Sequence, residues 1–178
     1  MPGIDPARPF YPLRIAVLTI SDTRNEITDT SGGLLIDRLK TAGHLLADRA
    51  IVPDEVGAIR ERLKDWIARE DVDLVLTTGG TGFSPRDVTP EAVEPLLDRR
   101  MDGFAVVFHQ ASHRTVGVST LQSRALAGQA GETFIFCLPG STGACRDAWD
   151  LVLAEELDSR FRPCSLAGQI PRLRGVCP

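Results

Sequence analysis

Leu76-Thr77-Thr78-Gly79-Gly80-Thr81-Gly82-Phe83-Ser84-Pro85-Arg86-Asp87-Val88-Thr89-Pro90-Glu91-Ala92 carries an apolar run into three closely spaced glycines, an Arg-Asp pair and a helix start. Val72 to Leu76, just upstream and running into it, is mostly apolar, as a buried strand of a parallel sheet is. Thr89-Pro90-Glu91 supplies the hydroxyl, proline and acid of a helix N-terminus. Strand, glycine turn and helix in that order place the turn at the carboxyl end of a strand, where open α/β sheets bind ligands. Glycine lets backbone N–H groups approach an anion closely, and Thr78 and Thr81 add hydroxyl donors. A phosphate or carboxylate is the expected guest. The turn lacks the Gly-Lys-Ser/Thr ending of a P-loop, and its glycine spacing does not fit the dinucleotide fingerprint. A tight turn that needs positive φ is the plain alternative.

Working outward, Leu13 to Ile20 is another nearly continuous apolar run rich in branched residues, and it ends in Ser21-Asp22. Asp29-Thr30-Ser31-Gly32 offers N-caps for a helix through Leu34, Leu35, Leu39 and Ala42 that stops at Gly43. His44 to Val52 reads as a second strand. Pro53-Asp54-Glu55 opens a helix through Val56, Ile59, Leu63, Trp66 and Ile67, ending near Glu70. Val72 to Thr78 is the third strand, and its helix passes through Val93, Leu96 and Leu97. Phe104, Val107 and Phe108 suggest a further helix, while Val116 to Gln129 mixes small and apolar residues without a clear period. Thr133 to Leu138 returns as a strand running into Pro139-Gly140-Ser141, and Ala144 to Leu157 has helical spacing. The alternation predicts an α/β protein, a three-layer α/β/α sandwich on a mostly parallel sheet. The expected division is an N-terminal extension over 1–12, one domain over 13–162 and a C-terminal tail over 163–178. Aperiodic and with prolines at 163, 171 and 178, the tail is expected along a surface or a neighbouring subunit.

With 178 residues, 43% of them hydrophobic, the chain can bury one core but not two comfortable ones. A net charge of −4 argues against nucleic-acid binding, which draws on clustered Lys and Arg. Anions must then be held locally. No apolar segment is long enough to span a bilayer and Met1 to Arg14 lacks a signal core, so no membrane association and a cytoplasmic location are expected. Cys137, Cys145, Cys164 and Cys177 lack Cys-x-x-Cys spacing and companion histidines, which favours reduced structural thiols.

Asp87 either caps the next helix or holds magnesium, which is commonly bound by one or two carboxylates plus phosphates and water. Asp54, just past the second strand, is the matching second carboxylate or a helix-start acid. Ser21, Asp22 and Asp29 flank the first strand's end and either meet a ligand or cap the following helix. Ser123 and Arg124 supply a hydroxyl and a fixed charge suited to phosphate, or a solvated helix face. Pro139, Gly140 and Ser141 form a second turn able to present amides to an anion. His44, His109 and His113 are dispersed and read as packing or surface residues; Trp66 and Trp149 read as core.

Together, Thr77-Thr78-Gly79-Gly80-Thr81-Gly82, Arg86-Asp87-Val88-Thr89-Pro90-Glu91-Ala92, Ser123-Arg124-Ala125 and Pro139-Gly140-Ser141 resemble the molybdenum cofactor biosynthesis protein B (MoaB/Mog) family. The likeness runs from about Leu13 to Arg162 and includes Leu18-Thr19-Ile20-Ser21-Asp22 and Asp29-Thr30-Ser31-Gly32. Thr120-Leu121-Gln122-Ser123-Arg124 and Pro139-Gly140-Ser141-Thr142 resemble the MoaB branch more than the Mog branch. The resemblance implies a molybdopterin-binding fold, assembled as a homotrimer or homohexamer, with a molybdenum-insertion protein as a further partner. It implies adenylylation of the terminal phosphate of molybdopterin by ATP with Mg²⁺, releasing pyrophosphate. Its two essential aspartates match Asp54 and Asp87 as catalytic, metal-binding residues. Ser21, Asp22, Asp29, Gly79, Gly80, Thr81, Gly82, Glu91, Ser123, Arg124, Pro139, Gly140 and Ser141 are the expected substrate contacts. A non-catalytic molybdopterin carrier or scaffold, the molybdenum-inserting step of proteins that contain a related domain, and a regulatory nucleotide-binding module are the competing readings.

Overall fold

The computed structural model describes residues 1–174. In chain order its strands are β1 (Gly3–Ile4), β2 (Arg14–Ile20), β3 (Leu45–Val52), β4 (Leu74–Thr78), β5 (Arg99–Arg100), β6 (Leu126–Ala130), β7 (Thr133–Leu138) and β8 (Phe161–Arg162). Its helices are α1 (Thr30–Thr41), α2 (Val56–Ile67), α3 (Thr89–Val93), α4 (Asp102–Val116), α5 (Thr142–Ala148) and α6 (Ala154–Glu156), the last two joined by a π-helical turn at Trp149–Leu153. Six strands form one sheet in the order β3-β2-β4-β7-β6-β5. The β3-β2, β2-β4 and β4-β7 pairs are parallel, and the β7-β6 and β6-β5 pairs are antiparallel.

Because successive strand residues point to opposite faces, each central strand feeds two cores. Ile15, Val17, Leu74, Leu76 and Phe136 meet Leu35, Leu39, Phe104, Phe108 and Trp149 from α1, α4 and the α5–α6 segment. Ala16, Leu18, Val75 and Ile135 meet Ile59, Leu63, Trp66 and Val93 from α2 and α3 on the other face. The helix–sheet–helix layering expected from the alternation is therefore present, and apolar runs without alternation are its cause. Each fully buried Leu or Ile contributes about 1.5–3 kcal/mol.

The structure differs from the sequence expectations in places. The helix after the glycine turn is short: Pro95 has no N–H to continue the ladder, and the chain passes into a 3-10 turn at Glu94–Leu96. The helix after β3 begins at Val56, leaving Asp54 in the loop. The ambiguous stretch resolves into a 3-10 segment, Gly117–Gln122, and β6. The tail does not merely lie along a surface, since Leu166, Ala167, Ile170 and Leu173 are buried. It is anchored where Arg172 and Arg14 both donate to Asp73, each at 2.7 Å. Burial works against that carboxylate, but hydrogen bonds from Arg172 and Arg14 hold its pKa at about 2. At the other end, β1 pairs with β8. Cys137, Cys145 and Cys164 are free thiols; Cys177 lies outside the described residues. Among the described residues no helix is long and apolar enough to cross a membrane.

His44 packs between Phe10 and Trp149, and its Nδ1 accepts from the Leu13 N–H at 3.1 Å. The ring is therefore neutral. Burial lowers its pKa to about 4, against a weaker opposing pull from Asp158. A base whose native pKa lies below its unfolded value stabilises the fold fully above pH 6.5 and loses that contribution as pH falls toward 4. Urea titrations should show about 3 kcal/mol lost across that window. In His44→Asn, whose amide oxygen can still accept from Leu13, that part of the slope should vanish; an unchanged slope would assign it elsewhere.

Candidate active site

Since β2, β3, β4 and β7 are parallel, their carboxyl ends open onto one edge of the sheet, with Ser21-Asp22, Pro53-Asp54, Gly79-Gly80 and Pro139-Gly140 following them. The chain moves outward from β2 to β3, then back across to β4, so the crevice between β2 and β4 is the topological switch point. Gly79 (φ +107°) and Gly80 (φ +64°) sit in it. Gly79 N–H donates to the Leu138 carbonyl, Thr89 Oγ1 donates to the Gly79 carbonyl at 2.8 Å, and Thr89 N–H donates to the Gly80 carbonyl. The turn's carbonyls are thus tied back to the fold. Among the described residues the N–H groups of Gly80, Thr81, Gly82 and Phe83 have no protein acceptor. Gly140 packs on this turn so closely that a methyl there would lie 3.3 Å from Gly79 Cα.

Two carboxylates lean over the glycines: Asp54 Oδ1 comes within 3.2 Å of where a Gly80 Cβ would be, and Asp87 Oδ2 within 2.9 Å of the Gly82 equivalent. Asp87 does not cap α3, whose N-cap is Val88; its carboxylate accepts from Ser84 N–H at 2.8 Å and closes a local turn. Asp54 and Asp22 are cross-linked, with Asp22 N–H donating to Asp54 Oδ2 and Asp54 N–H to Asp22 Oδ1, both at 3.0 Å. Burial, then the nearby charges of Asp22 and Asp87, push the Asp54 carboxyl above its ordinary pKa, partly offset by the Asp22 hydrogen bond and Arg86. Asp22 is pulled down, chiefly by its hydrogen bonds from Arg86. Negative charge concentrated in this way is a place for a cation. Among the described residues no group of three or more His, Cys, Asp or Glu side chains is placed to hold a metal ion.

Arg124 does not point at open solvent. Its backbone N–H donates to the Thr81 carbonyl, Nε to the Gly82 carbonyl at 2.9 Å and Nη2 to the Asp87 carbonyl at 2.7 Å, while Nη1 pairs with Glu91. Its guanidinium also lies over the Phe83 ring. Arg124 is therefore a clamp on the turn, and the charge expected to face a phosphate is largely engaged by carbonyls. Ser123 Oγ hydrogen-bonds Thr81 Oγ1 at 3.1 Å beside it. A lysine cannot reach three carbonyl and carboxylate acceptors on this fork, so Arg124→Lys should lower stability by about 1–2 kcal/mol in thermal or urea unfolding. An unchanged midpoint would contradict the clamp.

The other candidates divide. Ser21 Oγ accepts from the Thr23 and Arg24 N–H groups at 3.2 Å and shapes the loop beside Asp22. Asp29 sits behind the site: it caps α1 through Gly32 N–H and accepts from Thr19 Oγ1 and Arg49. Its side chain is buried with those partners, so the cap reading describes its position. The Pro139 carbonyl accepts from Thr78 Oγ1, the Gly140 carbonyl accepts from Ser31 Oγ, and Ser141 caps α5 through Ala144 N–H. Glu91 meets Arg124 at the rim. Arg86, quoted in the sequence but not singled out there, forms a fork on Asp22 at 2.7–2.9 Å. Sixty-four residues separate the two, and no local pattern signals the pairing.

Two clefts flank the turn. One, about 470 Å³, is lined by Ser21, Asp22, Arg24, Asn25, Ile51 and Pro53. The other, about 220 Å³, lies between Phe108, Thr120, Gln122, Ser123, Pro139 and Ser141.

This fold carries a switch-point crevice and an amide-lined turn, and residues 16–159 match the family model described as a probable molybdopterin binding domain. The chain belongs to the molybdenum cofactor biosynthesis protein B (MoaB) family. It is 52% identical over 156 residues to molybdenum cofactor biosynthesis protein B of Escherichia coli (strain K12), covering 88% of this chain and 92% of that one. A crystal structure of molybdenum cofactor biosynthesis protein B superposes with a TM-score of 0.80 at 44% identity, covering 83% and 92% of the two chains. The crystal structure described as tungsten cofactor synthesizing protein MoaB from Pyrococcus furiosus gives 0.67 at 33% identity, covering 81% and 92%.

Proposed function

We propose that the protein transfers an adenylyl group from ATP to the terminal phosphate of molybdopterin. The observation that carries this reading is that Asp54 and Asp87 stand beside a turn whose N–H groups from Gly80 to Phe83 have, among the described residues, no protein acceptor. An oxygen of the pterin's terminal phosphate attacks the α-phosphorus of ATP, the bond from that phosphorus to the bridging oxygen breaks, and pyrophosphate leaves with the bond's electrons. The nucleophile is already ionised at neutral pH, so the chemistry needs no histidine base. What it needs is alignment and charge stabilisation.

Asp54 and Asp87 are the residues that would hold magnesium, which when bound neutralises polyphosphate charge. The turn amides, fixed by Thr89 and Arg124, supply preorganised donors to the phosphates. The clefts on either side give room for the two organic ends, nucleoside and pterin. The family resemblance supports self-association as a homotrimer or homohexamer and a cytoplasmic setting. Val106, Val107, Val118 and Leu121, on α4 and the turn after it, are exposed apolar side chains of the kind such contacts use.

Purified protein incubated with molybdopterin, ATP and Mg²⁺ should release pyrophosphate and yield an adenylylated pterin. Pterin binding without either product would overturn the enzyme reading and favour a carrier.

A further inference from the structure

The arginines around the turn are not equivalent. Arg124 and Arg60 are fixed on backbone carbonyls, of Gly82 and Asp87 in one case and of Glu91 and Ala92 in the other. Releasing either would leave main-chain acceptors unmet. Among the described residues Arg86 makes no side-chain bond to a carbonyl: its partner is the carboxylate of Asp22, and the two side chains are 57% and 39% exposed. An exposed ion pair of this kind adds little stability. Asp22, moreover, keeps its place without Arg86, because its N–H and Oδ1 are both bonded to Asp54. The fork that Arg86 presents to Asp22, with Nε on one oxygen and Nη2 on both, is the geometry in which a guanidinium grips two phosphate oxygens.

We propose that Arg86 is a phosphate-binding residue held by Asp22 until a polyphosphate arrives, at which point its fork passes from the carboxylate to the phosphate. No covalent bond changes; one set of charge-assisted hydrogen bonds replaces another. The exchange suits an acidic site. Asp22, Asp54 and Asp87 repel an incoming polyphosphate, and Arg86, one residue before Asp87 on the glycine loop, is a cation that can turn toward it without disturbing the turn. This deepens the adenylyl-transfer reading and rests on it only for taking the polyphosphate to be that of ATP.

The test is a double-mutant cycle read by calorimetry, using the full chain and inorganic tripolyphosphate in EDTA, so that neither metal nor turnover enters. R86M should weaken binding roughly ten- to hundredfold. D22N keeps an oxygen for the Asp54 N–H but releases Arg86, and should tighten binding by roughly tenfold. In the R86M background D22N should give only the smaller gain that comes from removing one repelling charge. An equal gain in both backgrounds would mean that removing a negative charge is the whole effect and would overturn the exchange, as would wild-type affinity in R86M or no binding by the wild type. Adenylyl transfer by wild type alongside an uncoupled cycle would remove the exchange and leave the enzyme reading, whereas a coupled cycle without transfer would do the reverse.

Discussion

Asp87→Asn should lower molybdopterin-dependent pyrophosphate release roughly 10³-fold while pterin binding stays near wild type. Asparagine is the informative choice because its amide oxygen can still accept from Ser84 N–H, keeping the local turn closed. What it removes is the charge. Asp54→Asn should behave alike, since its amide oxygen can still accept from Asp22 N–H, and the two losses should combine to less than their product because the carboxylates act as one unit. Both variants should need more Mg²⁺ for half-maximal activity. Turnover by Asp87→Asn at the wild-type rate and Mg²⁺ requirement would take Asp87 out of the proposed metal site. The pterin-binding control matters, because a collapsed turn would lower both quantities together.

Gly79→Ala should cost about 3 kcal/mol or more, enough to leave much of the protein unfolded or insoluble. An added Cβ would lie 2.2 Å from the Ile20 carbonyl oxygen, and the residue's φ of +107° is closed to an L side chain. The obstacle is the backbone of the neighbouring central strand, which cannot swing aside as a side chain could. Gly33→Ala is the control: the residue lies within α1, and an added Cβ meets nothing within 4 Å. That substitution should stabilise by about 0.5–1 kcal/mol through better helix propensity. Urea unfolding of the pair should differ in sign, and equal midpoints would contradict the close approach.

The sheet was legible because unalternating apolar runs such as Leu74-Val75-Leu76 have few solutions other than a strand covered on both faces. The glycine turn was legible for a related reason, as its residue types are demanded locally by backbone geometry. β6 was not. Leu126-Ala127-Gly128-Gln129-Ala130 has little strand propensity, and what selects small residues is crowding: a Cβ at Gly128 would sit 2.4 Å from the Arg99 carbonyl and 2.7 Å from Leu97. Burial of the tail was equally invisible, because Leu166, Ile170 and Leu173 enter the core from 3-10 turns with no sustained period.

Within the site, residue types pointed toward phosphate and cation chemistry, and distance in sequence hid the wiring. Arg124 reads as a free cation until the carbonyls it holds, from residues about forty positions earlier, are seen beside it. Asp29 reads as a ligand or as the better cap candidate, and the partners that settle its position, Thr19 and Arg49, lie in two different strands. Asp54 and Asp87 were named for standing just past a strand and a glycine turn. Their convergence over Gly80 and Gly82 depends on the order in which strands pair.

That pairing order bears on how the molecule is made. β4 finds its neighbours β2 and β7 about sixty residues away in either direction. Loops of that size close slowly, and sheets built from them acquire native contacts late. The crevice between β2 and β4 is thus absent from any short fragment of a nascent chain and comes into being with the central pairing itself. Ligand capture by a refolding sample should track the arrival of this sheet and lag behind helix formation, which would make tripolyphosphate binding a clock for the last cooperative step of folding.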